Sequence, residues 1–283
     1  MKRLSVFSAL SGLLLASTTW AAPVVVTFQA AGANPAAITA ARDAFRVAVG
    51  GGSVAGANGS FGGLRREINW DGVPDALADP HQLPANFFNV NSPRGVVFST
   101  PGTGFLVSAN AGGGTPVLFG FPADLQTFSS QRLFTAVNSN TTDVRFFLPG
   151  STTAATTTAF GLVFVDVEVA GLTHLEFFDE NNALLYTHDA MVAGNQGLSF
   201  LGATVSGGAI SRVRITSGLN TLVSNGVLGN PNDDFVVMDD FLYAEPAPLQ
   251  AIPEPSSVAL TGLGLIGVLA VMRRRRNSAT RTR

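Results

Sequence analysis

The chain of 283 residues contains no cysteine, so no disulfide bond can stabilise it in an oxidising compartment. Its stability must therefore come from a hydrophobic core. The stretch of about 230 residues between the two ends is long enough to bury one core as a single domain.

Lysine is nearly absent, because Lys2 is the only one. Eight of the 17 basic residues lie before residue 22 or after residue 252, whereas 18 of the 19 acidic residues lie between those limits. The interior of the chain therefore carries nine arginines against 18 carboxylates, a net charge of −9 that the whole-chain value of −2 conceals. Such a body disfavours a nucleic-acid partner, but it suits solubility and the binding of divalent cations.

Long apolar runs are also scarce, and the one near the C-terminus is short. Val258 to Met272 holds 15 uncharged residues. As a helix it would cover about 22 Å, against roughly 30 Å for the hydrocarbon core of a bilayer. With Ser256 and Ser257 included and flanking arginines reaching the headgroups, we predict a marginal transmembrane helix over 256–272. The alternative is a buried core helix followed by a basic tail.

Four basic residues follow this run and orient it: Arg273, Arg274, Arg275 and Arg276. Basic residues beside a membrane segment stay on the cytoplasmic side, so the preceding chain is expected outside the cytoplasm. Pro253, Glu254 and Pro255 stand just before the run. The two prolines keep this stretch extended and accessible at the membrane surface.

A Pro-Glu-Pro tripeptide, a short apolar helix and an arginine cluster at the chain end together resemble the PEP-CTERM sorting signal of Gram-negative bacteria that make extracellular polysaccharide. The resemblance covers about the last 30 residues, 250–283. It implies an exosortase as partner, a transpeptidase-like membrane enzyme expected to cut near the motif. It also implies a precursor tethered to the inner membrane and a product delivered to the cell envelope, the outer surface or the extracellular matrix.

The N-terminus has the three parts of a secretory signal. Lys2 and Arg3 precede an apolar stretch, and small residues come before Pro23. We predict a signal peptide over 1–21, cleaved after Ala21. A retained N-terminal anchor is the alternative.

Between the two ends, residues 22–249 are predicted to form one extracellular β domain. Val24 to Phe28 indicates a first strand. Asn34-Pro35 marks the start of a helix that Gly50 ends, and the Gly-rich stretch 50–63 is expected to be a mobile loop. After it, short strand-like runs alternate with Gly, Pro and Asn clusters, including Val117 to Phe121. The prediction is a mainly β, antiparallel, jelly-roll-like sandwich with one N-terminal helix.

The clearest strands are in the second half of this domain. Leu172 to Phe178 and Ala183 to His188 are predicted to form a hairpin, in which His174 and His188 could face each other as a metal pair or as ordinary surface imidazoles. The closing stretch Phe235 to Tyr243 weakly resembles the last strand of extracellular carbohydrate-binding jelly rolls, where an aspartate can hold structural calcium.

Carboxylates provide the candidate chemistry. Asp166 and Glu168 alternate in a predicted strand and so should share a face, about 7 Å apart. Asp239 and Asp240 lie in the last strand, shortly after Asp233 and Asp234. Hard oxygen ligands of this kind suit Ca²⁺, so a structural calcium site is the metal hypothesis, with solvent-facing carboxylates and a catalytic pair as alternatives.

Trp70 and Asp71 form the one polar and aromatic cluster that suits a sugar ring. A tryptophan at the end of a strand is, however, usually part of the core.

Two functions remain open at this stage. One is a non-enzymatic surface or matrix protein associated with exopolysaccharide or biofilm, without a cofactor other than the calcium. The other is a secreted polysaccharide-active enzyme that uses a carboxylate pair.

Overall fold

The computed structural model describes residues 22–50, 53–60, 62, 64–110, 112, 115–249, 264 and 266–267. Ala22–Leu249 form one compact unit, and the fold given below is that of this unit. The predicted signal peptide, the Pro-Glu-Pro motif and the arginine cluster lie outside the described residues. Across the residues described, no helix has the length and apolar character needed to cross a membrane.

The unit contains two α-helices and sixteen strands among its described residues. The helices are α1 (Pro35–Val49) and α2 (Phe87–Val90). The strands are β1 (Val24–Gly32), β2 (Arg65–Ile68), β3 (Val96–Ser99), β4 (Gly104–Val107), β5 (Phe134–Val137), β6 (Thr141–Phe146), β7 (Ala155–Thr156), β8 (Ala159–Val165), β9 (His174–Phe178), β10 (Leu184–Asp189), β11 (Leu198–Ser206), β12 (Arg212–Thr216), β13 (Leu222–Ser224), β14 (Val227–Leu228), β15 (Val237–Ala244) and β16 (Ala247–Pro248).

Most of these strands belong to two sheets. The larger has the order β1-β11-β8-β15-β5-β13-β14, with β2 added beside β15 and β4 beside β5. The smaller has the order β10-β9-β12-β6-β3, and β16 pairs separately with β7. Pairing is antiparallel except for one parallel contact between β13 and β5, at Leu222 and Val137. The predicted mainly β class is confirmed, and so is the β9–β10 hairpin.

The main core lies between the two sheets. Its buried side chains come from both, for example Phe160 and Phe241 of the larger sheet and Phe177 and Val213 of the smaller. The two sheets therefore pack face to face through an aromatic-rich layer, which a chain without disulfides needs for its stability.

A second core lies on the outer face of the larger sheet, where α1 packs. Ile38 and Phe45 of the helix are fully buried there, and the ring of Phe45 meets that of Phe200 edge to face at 5.8 Å. Because both faces of the larger sheet are covered, all seven residues of β8 are buried. The sheet therefore has little solvent-facing surface at its centre.

Local sequence sets the ends of α1 as predicted. Asn34 is the N-cap and its side-chain oxygen accepts a hydrogen bond from the backbone N–H of Ala37, while Pro35 occupies the first turn. Gly50 ends the helix with a φ of 78°, a conformation that favours glycine.

The stretch Val117 to Phe121 is not the strand that its apolar residues predict. Leu118–Gly120 form a 3₁₀ turn in which Leu118 and Phe119 have φ values of 53° and 54°. Phe119 is fully buried in the second core. Tertiary burial of this ring thus accompanies a backbone conformation that local propensity disfavours.

Described parts of the Gly-rich stretch are hydrogen-bonded to the domain. The buried Arg66 guanidinium donates to the carbonyl oxygens of Ala57 and Gly59, and it forms an ion pair with Glu245 at 3.2 Å. The N–H of Gly59 donates to the carbonyl of Pro93 at 2.7 Å. These contacts fasten residues 57–59 to the larger sheet.

Candidate functional site

Three carboxylates converge at one end of the larger sheet. One oxygen each from Asp166, Glu168 and Asp234 can be chosen so that all three lie within 4.8 Å of one another. Asp166 and Asp234 are buried, with 4% and 7% of their surface exposed, whereas Glu168 is exposed. We call these three residues the acidic cluster.

The end of β8 positions Asp166. The strand ends at Val165, and Asp166 has a φ of 72°, a left-handed conformation that aspartate tolerates better than most residues. Its N–H donates to the carbonyl of Gly197 at 2.8 Å, and its carboxylate accepts from the N–H of Gln196 at 2.8 Å. Asp166 and Glu168 therefore do lie close together, but not through the strand alternation that the sequence suggested.

Asp234 enters the cluster from the loop before β15. Its side chain accepts from the N–H groups of Glu168 at 3.4 Å and Val169 at 3.3 Å. Its carbonyl accepts from the N–H of Asn220 at 3.0 Å, which ties two loops together. The sequence singled out Asp234 as an oxygen ligand, but no local pattern links it to Asp166, which lies far away in the chain.

The electrostatics of the cluster disfavour three negative charges at once. The pKa of Asp166 is raised from 3.8 to about 7, mainly by burial. The negative charges of Glu168 and Asp234 raise it further, whereas the hydrogen bond from the N–H of Gln196 lowers it. Burial likewise raises the pKa of Asp234. A divalent cation bound by these oxygens would remove the repulsion, and an all-carboxylate donor set of this kind matches the preference of Ca²⁺.

Asp239 and Asp240 are not members of the acidic cluster. They lie in β15 where its register with β8 shifts between Met238 and Phe241, and they are 0% and 5% exposed. Asp239 accepts from the N–H of Phe128 at 2.7 Å, and the hydroxyl of Ser129 donates to Asp240 at 2.6 Å. The expected four-residue calcium set thus falls into two separate groups, and neither member of this pair lies on a solvent face.

Burial raises the pKa of both carboxyls of this pair, and the charge of Asp240 raises that of Asp239 further. The pair fastens residues 128–129 to β15. Its hydrogen bonds therefore have a structural role in the domain.

Trp70 is a core residue in this structure. It is 1% exposed, and its ring stacks on Phe134 at a centroid distance of 4.1 Å with Phe241 edge-on at 5.0 Å. The hypothesis of an exposed ring for sugar stacking is therefore corrected to its alternative, because the indole is buried in the main core between the sheets.

The neighbouring Asp71 holds a loop. Its carboxylate accepts from the backbone N–H groups of Gln131 and Arg132 and from the side chain of Asn69. Burial raises its pKa, and the hydrogen bonds counter that rise. Asp71 thus orders the segment that leads into β5.

The two histidines of the hairpin do not form a pair. In the register of β9 and β10, His174 lies opposite Asp189, and His188 lies opposite Leu175. Cross-strand partners share a face and adjacent pairs alternate, so the two imidazoles point to opposite faces of the sheet.

A polar depression of about 270 Å³ was not anticipated from the sequence. Asp75, Asp79, His81, Asn110 and Arg132 are among the residues that line it. Arg132 is buried; it donates to the carbonyl of Ser108 at 3.1 Å and pairs with Asp75, which also accepts from Asn110 at 2.9 Å. The lining joins residues 75–81 with Asn110 and Arg132, which are far from that segment in the chain and share no motif with it, so no sequence signal could have joined them.

Comparison with protein families finds the PEP-CTERM protein-sorting motif at residues 251–276. The chain thus carries a PEP-CTERM sorting signal at its C-terminal end, and this motif implies exosortase-directed export to the cell envelope or surface. Comparison with curated proteins and with solved structures finds no match.

Proposed function

We propose that this chain is a non-enzymatic structural protein of the cell surface or extracellular matrix, associated with exopolysaccharide and biofilm. The observation that carries the proposal is the sorting motif at 251–276, placed directly after a compact β domain that ends at Leu249. In the sequence the Pro-Glu-Pro segment stands between the folded body and a short apolar run, and its two prolines disfavour helix, so a membrane protease would have a site to cut.

The precursor enters the membrane through 256–272, with Arg273 to Arg276 on the cytoplasmic side. The signal peptide over 1–21 starts export. Removal of both ends would release a body with a net charge of −9, unlike the near-neutral precursor. The product is thus electrostatically matched to a hydrated, cation-containing matrix rather than to an anionic membrane surface.

The carboxylates support a structural role better than the alternative of a polysaccharide-active enzyme. Asp239 and Asp240 are enclosed and hydrogen-bonded to residues 128–129. In the acidic cluster one oxygen from each carboxylate lies within 4.8 Å of the others, a spacing that would let a single divalent cation bind all three residues. We also propose that the two packed sheets have jelly-roll topology, as the sequence pattern predicts.

The sorting step is tested by the intact mass of the mature protein from a host that has an exosortase. We expect loss of the tail near Pro253 in the wild type. A variant with alanine at Pro253, Glu254 and Pro255 should keep its tail and stay in the membrane fraction. The matched control is the wild-type chain in the same host without the exosortase, and a wild-type product that still ends at Arg283 in the exosortase-bearing host would refute the assignment.

The matrix association is tested separately. Matrix, membrane and soluble fractions of the native host are probed for the protein, and purified residues 22–249 are assayed for binding to the host's exopolysaccharide. Absence from the matrix fraction together with lack of binding would refute this part and leave the sorting step intact.

A further inference from the structure

β1 lies at one edge of the larger sheet as far as the described residues show. β1 forms nine consecutive residue pairs with β11, without a register shift. On its other side no strand of the described residues pairs with it, so β1 ends the larger sheet. None of its nine residues is fully buried, in contrast to β11, where seven are. A regular row of backbone N–H and C=O groups is therefore left available for another strand.

Other sheet edges in the described part of the domain carry the features that normally prevent such pairing. β10 has a register shift between Leu184 and Tyr186 and ends in His188 and Asp189. β2 has four residues, of which three are charged, and β3 has only four residues. Bulges, charges and short length are the usual protection of an edge.

β1 has none of these features. Its sequence, Val-Val-Val-Thr-Phe-Gln-Ala-Ala-Gly, contains no charge and no proline. Two of its side chains, Val24 and Val26, are 62% and 50% exposed. A long, uncharged edge that has no bulge and carries exposed valines is the kind that pairs with a further strand.

We propose that this edge pairs antiparallel with the β1 edge of a second copy of the chain, so that the exported domain forms a weak dimer with a sheet continuous across both copies. Antiparallel pairing about a two-fold axis is self-complementary. If residue i of one copy pairs with residue j of the other, then residue j of the first copy pairs with residue i of the second. The inference concerns assembly and does not depend on the proposed function.

Charge favours a second copy on this edge. Two bodies that each carry −9 repel one another over most approaches, but pairing along β1 places no charged side chain opposite another. A sugar chain offers no alternating row of peptide donors and acceptors. The pairing of one strand from each copy buries a small surface area, so the dimer is expected to be weak and its population to depend on protein concentration.

Sedimentation of residues 22–249 over a range of concentrations tests the proposal; both hydrophobic cores lie within this unit. We expect a monomer–dimer equilibrium in the wild type. Val26→Lys should weaken it about tenfold or more, because apolar contact is lost and both copies gain a positive charge on the pairing strand. The substitution also lowers the net negative charge, so general repulsion cannot explain the loss.

The matched control is Val227→Lys, at a valine that is 47% exposed in β14 on the opposite edge of the same sheet. It should dimerise like the wild type. Hydrogen exchange on the wild type adds a second measurement, in which alternate amides of β1 should exchange more slowly at high than at low concentration. A monomer at every concentration, equal effects of the two lysine variants, or unchanged exchange in β1 would overturn the proposal.

Discussion

Replacement of Asp166 by asparagine should stabilise the domain at neutral and alkaline pH when no divalent cation is present. The folded state holds the pKa of Asp166 at about 7, above its ordinary value of 3.8, so the folded chain binds this proton more tightly than the unfolded chain does. The proton on Asp166 therefore makes its full contribution to the free energy of unfolding below about pH 4, and this contribution is lost as the pH rises to about 7. Asparagine is neutral at every pH and removes that loss.

The magnitude follows from the same pKa. The difference between 3.8 and about 7 corresponds to at most about 4 kcal/mol above pH 7. We halve it to about 2 kcal/mol, since solvent that reaches the cluster beside the exposed Glu168 screens its charges. For a domain of this size, that raises Tm by roughly 4 to 8 °C. Asparagine also tolerates the left-handed backbone at this position and can still accept the N–H of Gln196.

The assay is thermal unfolding of residues 22–249 in EDTA at a series of pH values between 4 and 8. Asp166→Asn should match the wild type near pH 4 and exceed it increasingly towards pH 8. Asp189→Asn, at an exposed carboxylate in β10, serves as the control and should show no such trend. A Tm difference that is absent, or that does not change with pH, would refute the reasoning.

Two further predictions use the same domain. Calcium in place of EDTA at pH 8 should raise the Tm of the wild type by several degrees, because a cation that binds only the folded state stabilises it. The gain in Tm should be smaller in Asp166→Asn. Identical midpoints with and without Ca²⁺ would remove the calcium hypothesis. Trp70→Ala should cost about 3 to 5 kcal/mol in urea unfolding and Trp70→Phe clearly less, since the indole stacks within the inner core. A small loss in Trp70→Ala would show that this ring is not packed as described. Because Trp20 falls in the predicted signal peptide, Trp70 is the only tryptophan in residues 22–249 and its fluorescence reports unfolding directly.

Much of the secondary structure could be predicted because its signals are local. Asn34 and Pro35 start α1 and Gly50 ends it. The polar turn between β9 and β10 sets their hairpin. Val117 to Phe121 shows the limit, because its apolar residues indicate a strand whereas burial of Phe119 accompanies a 3₁₀ turn.

The candidate site could be predicted only in part. The closeness of Asp166 and Glu168 was expected, but from a strand that ends before either residue. Asp234 joins them because β15 lies beside β8 in the sheet, a pairing that local sequence does not encode. Trp70 was ambiguous because its neighbours in the sequence are polar, whereas its neighbours in space are phenylalanines.

By itself the sequence determined the export and sorting of this protein, its acidic body and its mainly β class. These properties rest on charge counts, short motifs and local periodicity, which need no partner elsewhere in the chain. The tertiary structure alone decided which carboxylates meet, that Asp239 and Asp240 are enclosed, and that β1 lies at an open edge. Each of these depends on pairing between segments far apart in the chain, and so on the free energy of packing the whole domain.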